Sequence, residues 1–215
     1  MTLCWQALIF FCCVLNCVES LSPTPVVQRN KYNDSFCLTR STRTRVQQLQ
    51  KKYKAQQLGY NHFEDRSRQL NDLPLLSTDF SSWLKLTDWE RLHSAFVDMQ
   101  AYWNMLDRKR KQLEREEREQ MLSRAVGTTI PQSIRHIQLD LRDLMSQVSS
   151  QMSYMRSSWT KPTFPTPLNP QNRSQTDWDS RVEGYIILRD LDLYLTRLAR
   201  DFLFLASKTD SVSQC

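Results

Sequence analysis

The stretch WDSRVEGYIILRDLDLYLTRLARDFLFLAS, residues 178–207, places Val182, Tyr185, Leu188, Leu191, Leu195, Leu198, Phe202 and Leu205 three or four positions apart. That is the spacing of one buried stripe on an α-helix. Ile186, Ile187, Leu193, Tyr194, Leu203 and Phe204 lie off the stripe, so neighbours must cover this helix on more than one side, and it belongs at the centre of a bundle. Its first turn differs. Trp178 and Arg181 stand at the edge of the apolar pattern, where a large aromatic and a cation need not be inside. Two readings of that edge stand side by side: a contact surface, or a staple beneath the preceding loop.

The rest of the 215-residue chain supports one domain with a real core: 40% of its residues are hydrophobic, only three are glycine, and Gln, Leu, Arg, Glu and Lys are plentiful. Such a composition predicts an all-α fold. The first twenty residues, MTLCWQALIFFCCVLNCVES, form an apolar run closing on Val18-Glu19-Ser20, the pattern of a secretory signal peptide. A membrane anchor is the alternative, but the run is shorter than the roughly 20 apolar residues a span needs. The expectation is therefore a leader at 1–20, a domain at 21–215, and a secreted, monomeric product.

Cleavage after Ser20 leaves Cys37 and Cys215 as the remaining thiols. In an oxidising compartment they pair with each other, stay free, or bridge two chains. The formal charge of +6 becomes one unit more positive without Glu19, which suits an acidic receptor or a cell-surface glycan rather than nucleic acid. Asn33-Asp34-Ser35 and Asn172-Arg173-Ser174 are glycan acceptor sequons, so Asn33 and Asn172 are expected at the surface.

Taken in order, a proline-containing leader segment gives way at Asn33, Asp34 and Ser35 to helix-capping residues, and Phe36, Val46, Leu49 and Tyr53 mark a first helix over roughly 35–58, stopped by Gly59. Arg40, Arg43, Arg45, Lys51, Lys52 and Lys54 line its other side, either as a solvated face or as a contact surface. Residues 60–86 show no sustained period and read as a long connection. Thr87-Asp88-Trp89-Glu90 is a capping box that opens a helix over 88–124, with Trp89, Leu92, Phe96, Met99, Trp103, Leu106 and Leu113 inward. Its later part, RKRKQLEREEREQ, reads as a solvated extension, with a heparan sulfate contact at Arg108 to Lys111 as the less favoured alternative. Thr129 and Pro131 open a third helix over 130–159, on which Ile130, Ile134, Ile137, Leu141, Leu144, Val148, Met152, Met155 and Trp159 face inward. The methionines there read as packing rather than a cofactor box. A proline-punctuated connection then leads to Thr176 and Asp179, which cap a fourth helix over 177–207.

Loop reach orders these four rods. Helices of about 25 to 32 residues are roughly 38 to 48 Å long at 1.5 Å per residue. The first connection, about 27 residues, and the third, about 16, are long enough at roughly 3.3 to 3.6 Å per residue to cross a bundle. The short one near Gly127 is not. The expected topology is up-up-down-down, the arrangement of long-chain cytokines and growth hormone. It also brings the start of the first helix near the end of the fourth, which permits a Cys37 to Cys215 bridge.

Three stretches then resemble a known family. Ser77-Thr78-Asp79 with Trp83-Leu84-Lys85-Leu86-Thr87 and Glu90-Arg91-Leu92, the run Met99-Gln100-Ala101-Tyr102 with Met105-Leu106, and Leu188-Arg189-Asp190-Leu191 with Tyr194, Arg197, Asp201, Phe202 and Phe204 are similar to the interleukin-6 family, in the branch of ciliary neurotrophic factor, cardiotrophin-like cytokine and leukaemia inhibitory factor. The resemblance implies a long-chain four-helix cytokine with no cofactor, no bound metal and no catalytic residue. In that family a Phe-x-x-Lys pair at the start of the fourth helix engages leukaemia inhibitory factor receptor. Trp178 and Arg181 occupy the matching positions. Trp keeps the flat apolar anchor, and Arg replaces a point charge with a planar fork. By the same resemblance, Trp83, Arg197 and Asp201 fall where a non-signalling α-receptor binds. Arg40, Arg43 and Gln47 fall on the face that meets the shared signal-transducing receptor.

Other classes fit less well. A lipid-binding bundle of amphipathic helices shares the basic faces, but its helices would not carry a fourth member apolar nearly all round. His62, His93 and His136 are isolated in sequence, and the chain holds neither His-Glu-x-x-His nor Gly-x-Ser-x-Gly, so no enzymatic chemistry is expected.

Overall fold

A computed structural model describes residues 24–75, 79–119, 128–155 and 176–212, with side chains described as far as residue 209. Among them the regular structure is entirely helical. It comprises α1 (Pro25–Tyr53), continued by a π-helical turn (Lys54–Leu58), then α2 (Phe80–Lys85), α3 (Asp88–Glu119), α4 (Ile130–Met155) and α5 (Asp177–Val212). The leader at 1–20, Asn172, Cys215, Trp159 and the helix ends expected at 120–124 and 156–159 lie outside the described residues.

The helix starts are set by local chemistry. Thr87 and Glu90 form the capping box, with the Glu90 amide donating to Thr87 Oγ1 at 3.2 Å and the Thr87 amide to Glu90 Oε2 at 2.9 Å. Gln132 plays the same reciprocal part for Thr129, and Thr176 accepts from the Asp179 amide at 3.1 Å to open α5. Gly59, at φ +68°, ends the first helical segment in the left-handed conformation that glycine adopts without a Cβ clash. Pro25, in the first turn of α1, starts that helix ten residues earlier than the capping residues at 33–35 suggest. Proline there has no amide to leave unsatisfied and a φ already helical. Asn33, Asp34 and Ser35 are consequently not caps but part of the helix, and Asn33 is half-buried on it. Cys37, exposed and without a disulfide among the described residues, sits about three turns into α1 instead of at its start.

The inward face of α1 reads Tyr32, Ser35, Thr39, Thr42, Val46, Leu49, Tyr53, all buried. These residues alternate spacings of three and four, a heptad pattern in which three members are Ser or Thr. Each hydroxyl bonds the carbonyl one turn back: Ser35 to Lys31, Thr39 to Ser35 and Thr42 to Leu38, at 2.7 to 3.0 Å. The face is thus small and polar in type, yet satisfied.

α1 packs chiefly on α5 and also on α4, while α3 packs on α4 and more sparsely on α5. Arg43 and Gln47 meet Asp192, and Tyr53 meets the Arg181 carbonyl. On the other side Lys31 meets Tyr154, Ser35 meets Gln147 and Arg45 meets Asp140. Between α3 and α5, Asp88 pairs with Lys208, Arg91 with Asp201 and Lys109 with Ser180. In each of these three pairs of helices, residue numbers rise on one as they fall on the other. The shared core joins Phe96, Met99 and Leu106 to Leu141, Leu144 and Val148, and to Leu191, Leu195 and Phe202. No helix among the described residues is long and apolar enough to cross a membrane.

Candidate functional site

Two surfaces gather the residues singled out by the sequence. The first is the start of α5. Trp178 is 47% exposed there, and its ring meets the edge of Phe63 at 5.9 Å; Phe63 in turn packs edge-on to Tyr185 at 5.1 Å. Phe63 comes from the connection after Gly59. That connection is held against α5 by Arg68 to Asp179 at 3.0 Å, by Arg189 to the Arg68 carbonyl at 2.8 Å and by Arg189 to the Asp65 carbonyl. Arg181 is exposed one helical turn from Trp178. Among the described residues its guanidinium reaches the Gln57 carbonyl, at 3.4 Å. An aromatic face and a guanidinium therefore share one open side of the helix, with a loop-borne phenyl ring fixing the indole from beneath.

The second surface is the α2 region against the far part of α5. Trp83 is 5% exposed and Asp201 7%, and they bond each other, indole Nε1 to carboxylate, at 2.5 Å. Arg91, 2% exposed, completes the knot: it pairs with Asp201 at 2.8 Å, donates to the Trp83 carbonyl at 2.8 Å and stacks on the Trp83 ring at 4.5 Å. Arg200 lies over the same ring, also at 4.5 Å, and Phe80 stacks on it at 5.6 Å. Trp83 and Asp201, expected on a receptor-facing surface, thus hold α2 to the bundle from inside. What they leave open is Phe80, Leu84 and Leu203 with Arg200 at their edge. Arg197, the third residue of that expectation, is half-buried beside Asp98 in the seam between α3 and α5. A cavity of about 10 Å³ there, lined by Arg91, Ser94, Asp98, Tyr194, Arg197 and Asp201, has room for one water.

The α1 face is partly spoken for. Arg43 and Gln47 both bond Asp192, at 2.8 and 3.0 Å, so they brace α1 on α5. Arg40 is exposed and lies over the Phe36 ring at 5.6 Å. The four cations from Arg108 to Lys111 do not make the single basic patch a heparan sulfate chain would need. Lys109 is buried, Arg110 is clasped by Asp107 and Glu114, Lys111 pairs with Asp107 and Arg108 with Asp72. The solvated extension expected from RKRKQLEREEREQ is corrected in the same way, since one helical face of it is inside. Among the described residues no group of three or more His, Cys, Asp and Glu side chains is placed to hold a metal ion.

Sequence reasoning gave no site role to Arg91 or Phe63 and put Lys109 on the solvated face. For Arg91 a signal exists: running the buried positions Leu106, Tyr102, Met99 and Ala95 back by one more step of four lands on it. Phe63 carries none, because it lies in an aperiodic connection. Neither a scan against protein-family models nor a search of curated proteins finds a match to the chain.

Proposed function

We propose that this protein is a secreted helical cytokine of up-up-down-down topology that acts by bringing cell-surface receptor chains together. The partners are receptors of the leukaemia inhibitory factor receptor class and the shared signal transducer, whose associated kinases then activate one another. A non-signalling α-receptor is a further partner at the α2 surface. The single observation that carries the reading is the half-exposed Trp178 beside Arg181 at the start of a helix whose apolar stripe is buried. A large, loop-braced indole and an exposed guanidinium are the residue types that dominate protein interfaces. The numbering of cross-helix partners supports the topology: α1 runs against α4 and α5, and α3 runs against α5. The separation of the α5 tip from the α2 surface by the length of α5 supports the use of two partners at once.

The test replaces Trp178 and Arg181 together by alanine. Both are exposed, so circular dichroism and melting should stay as in the parent while receptor signalling is lost. A double variant that signals like the parent contradicts the assignment. The same preparation mixed with phospholipid vesicles separates this reading from a lipid-binding bundle, which would float with them.

A further inference from the structure

Beneath the exposed tip lies a polar node that no packing argument requires. Lys109 stands on the buried face of α3, in step with Tyr102 and Leu113, and is 4% exposed. Its ammonium has three protons to place and three acceptors to receive them: the Ser180 carbonyl at 2.6 Å, Ser180 Oγ at 3.0 Å and Gln112 Oε1 at 2.9 Å. Glu183 balances the charge from 3.6 Å. Burial draws the Lys109 pKa below the ordinary lysine value, and Glu183 and Glu116 oppose that pull. Gln112 adds a bond to Ser180 Oγ at 2.5 Å. From α1, the Tyr53 hydroxyl donates to the Arg181 carbonyl at 3.1 Å.

Two successive carbonyls of α5 are therefore gripped from two different helices. Neighbouring carbonyl oxygens on a helix sit about 100° apart around its axis, at 3.6 residues per turn, so the pair of donors fixes both the rotation and the height of α5. Apolar packing alone tolerates small slides of one helix along another, whereas hydrogen bonds weaken steeply when misaligned. Gly184 makes the grip feasible. A Cβ at that position would lie 2.1 Å from the Tyr53 hydroxyl and 3.0 Å from Lys109 Cε, so glycine is kept inside a helix at a propensity cost of about 1 kcal/mol.

We propose that Lys109 and Tyr53, closing over Gly184, are positioning residues that set the register of the first turns of α5 and so aim Trp178 and Arg181 at their partner. The proposal rests on the reading of that tip as the receptor contact. Lys109→Met and Tyr53→Phe remove donors and keep shape. Three measurements apply to each: melting, hydrogen exchange of the amides at 177–184, and affinity for a receptor ectodomain of the leukaemia inhibitory factor receptor class, with Trp178→Ala as reference. The expected result is a folded variant whose exchange at 177–184 rises at least tenfold relative to the amides of α4, and whose affinity falls about tenfold. Unchanged exchange at 177–184 overturns the inference. So does raised exchange with parental affinity when Trp178→Ala has lost it. A Trp178→Ala protein that keeps parental affinity overturns the tip reading alone, because the exchange data still decide what the node does. Should Lys109→Met not fold, Tyr53→Phe, lacking a single hydroxyl, carries the same three measurements.

Discussion

Asp98 shows what one residue at a helix seam does to the whole protein. Its carboxyl is half-buried on α3, where the Ser94 hydroxyl reaches it only at 3.4 Å. Burial pushes its pKa up to about 6; Arg197 pulls it down, and Asp201 adds to the rise. Arg91 and Tyr194 complete the groups around the adjoining cavity. A folded-state pKa above the unfolded one means that the native protein binds the extra proton between the two values. This group's contribution to stability therefore grows as pH falls from 7.5 through 6 towards 4, and is lost on the way back up. Asp98→Asn removes the charge and keeps the shape. The variant should be more stable than the parent at pH 7.5, by on the order of 2 kcal/mol, and the gap should narrow to less than half at pH 4.5, closing only below the unfolded-state pKa. Denaturant melts of both proteins at the two pH values check this, and an equal difference at both would show that Asp98 titrates normally. Arg91, Lys109 and Asp98 share the reason that sequence reading does not place them inside. A charged letter on a buried face reads as a break in the pattern, and only its partners, Asp201, Ser180 and Arg197, which lie far off in the chain, explain why it can be there.

At the scale of the element, starts and stops were the most legible features. The caps at Thr87, Thr129 and Thr176 and the glycine stop at Gly59 are local chemistry, written within four residues of where they act. The core stripes of α3, α4 and α5 were legible for the same reason, since their periodicity is carried by apolar letters. α1 was legible only in its second half. Between Tyr32 and Val46 its inward residues are Ser35, Thr39 and Thr42, whose hydroxyls hide the heptad, and Pro25 reads as a breaker until it is placed in a first turn. α2 was missed because six residues cannot show a period; its one signal was Asp79, whose carboxylate accepts from the Ser82 amide. The early start of α1 has a consequence for stability. Tyr32 is 1% exposed and accepts from Gln28 one turn back, so Tyr32→Ala should cost about 3 kcal/mol, the range for emptying a large aromatic site in a core. Chemical denaturation measures it. A cost near zero would return residues 25–34 to the status of a leader.

At the scale of the molecule, α5 is the axis on which the other parts are set. α1 braces it through Arg43, Gln47 and Tyr53, α3 through Arg91 and Lys109, and the first connection through Arg68 and Arg189. Towards its two ends α5 carries two open surfaces among the described residues: Trp178 and Arg181 at one, and Phe80, Leu84, Leu203 and Arg200 around the α2 knot at the other. Of this arrangement, the sequence made Trp178 and Arg181 visible as the edge of a stripe. It did not reveal that Trp83 and Asp201 turn inward, because their burial depends on Arg91, and that contact spans more than a hundred residues. The proposed activity needs a rigid rod with separated patches, and it concentrates its binding energy at the indole and guanidinium of the α5 tip. The most direct measurement is the affinity of the parent and of the Trp178→Ala, Arg181→Ala double variant for receptor ectodomains of the leukaemia inhibitory factor receptor class. Loss of at least about 2 kcal/mol, or roughly thirtyfold in Kd, with an unchanged melting profile, is the predicted result; equal affinity for the two proteins, or no binding by the parent, would contradict it.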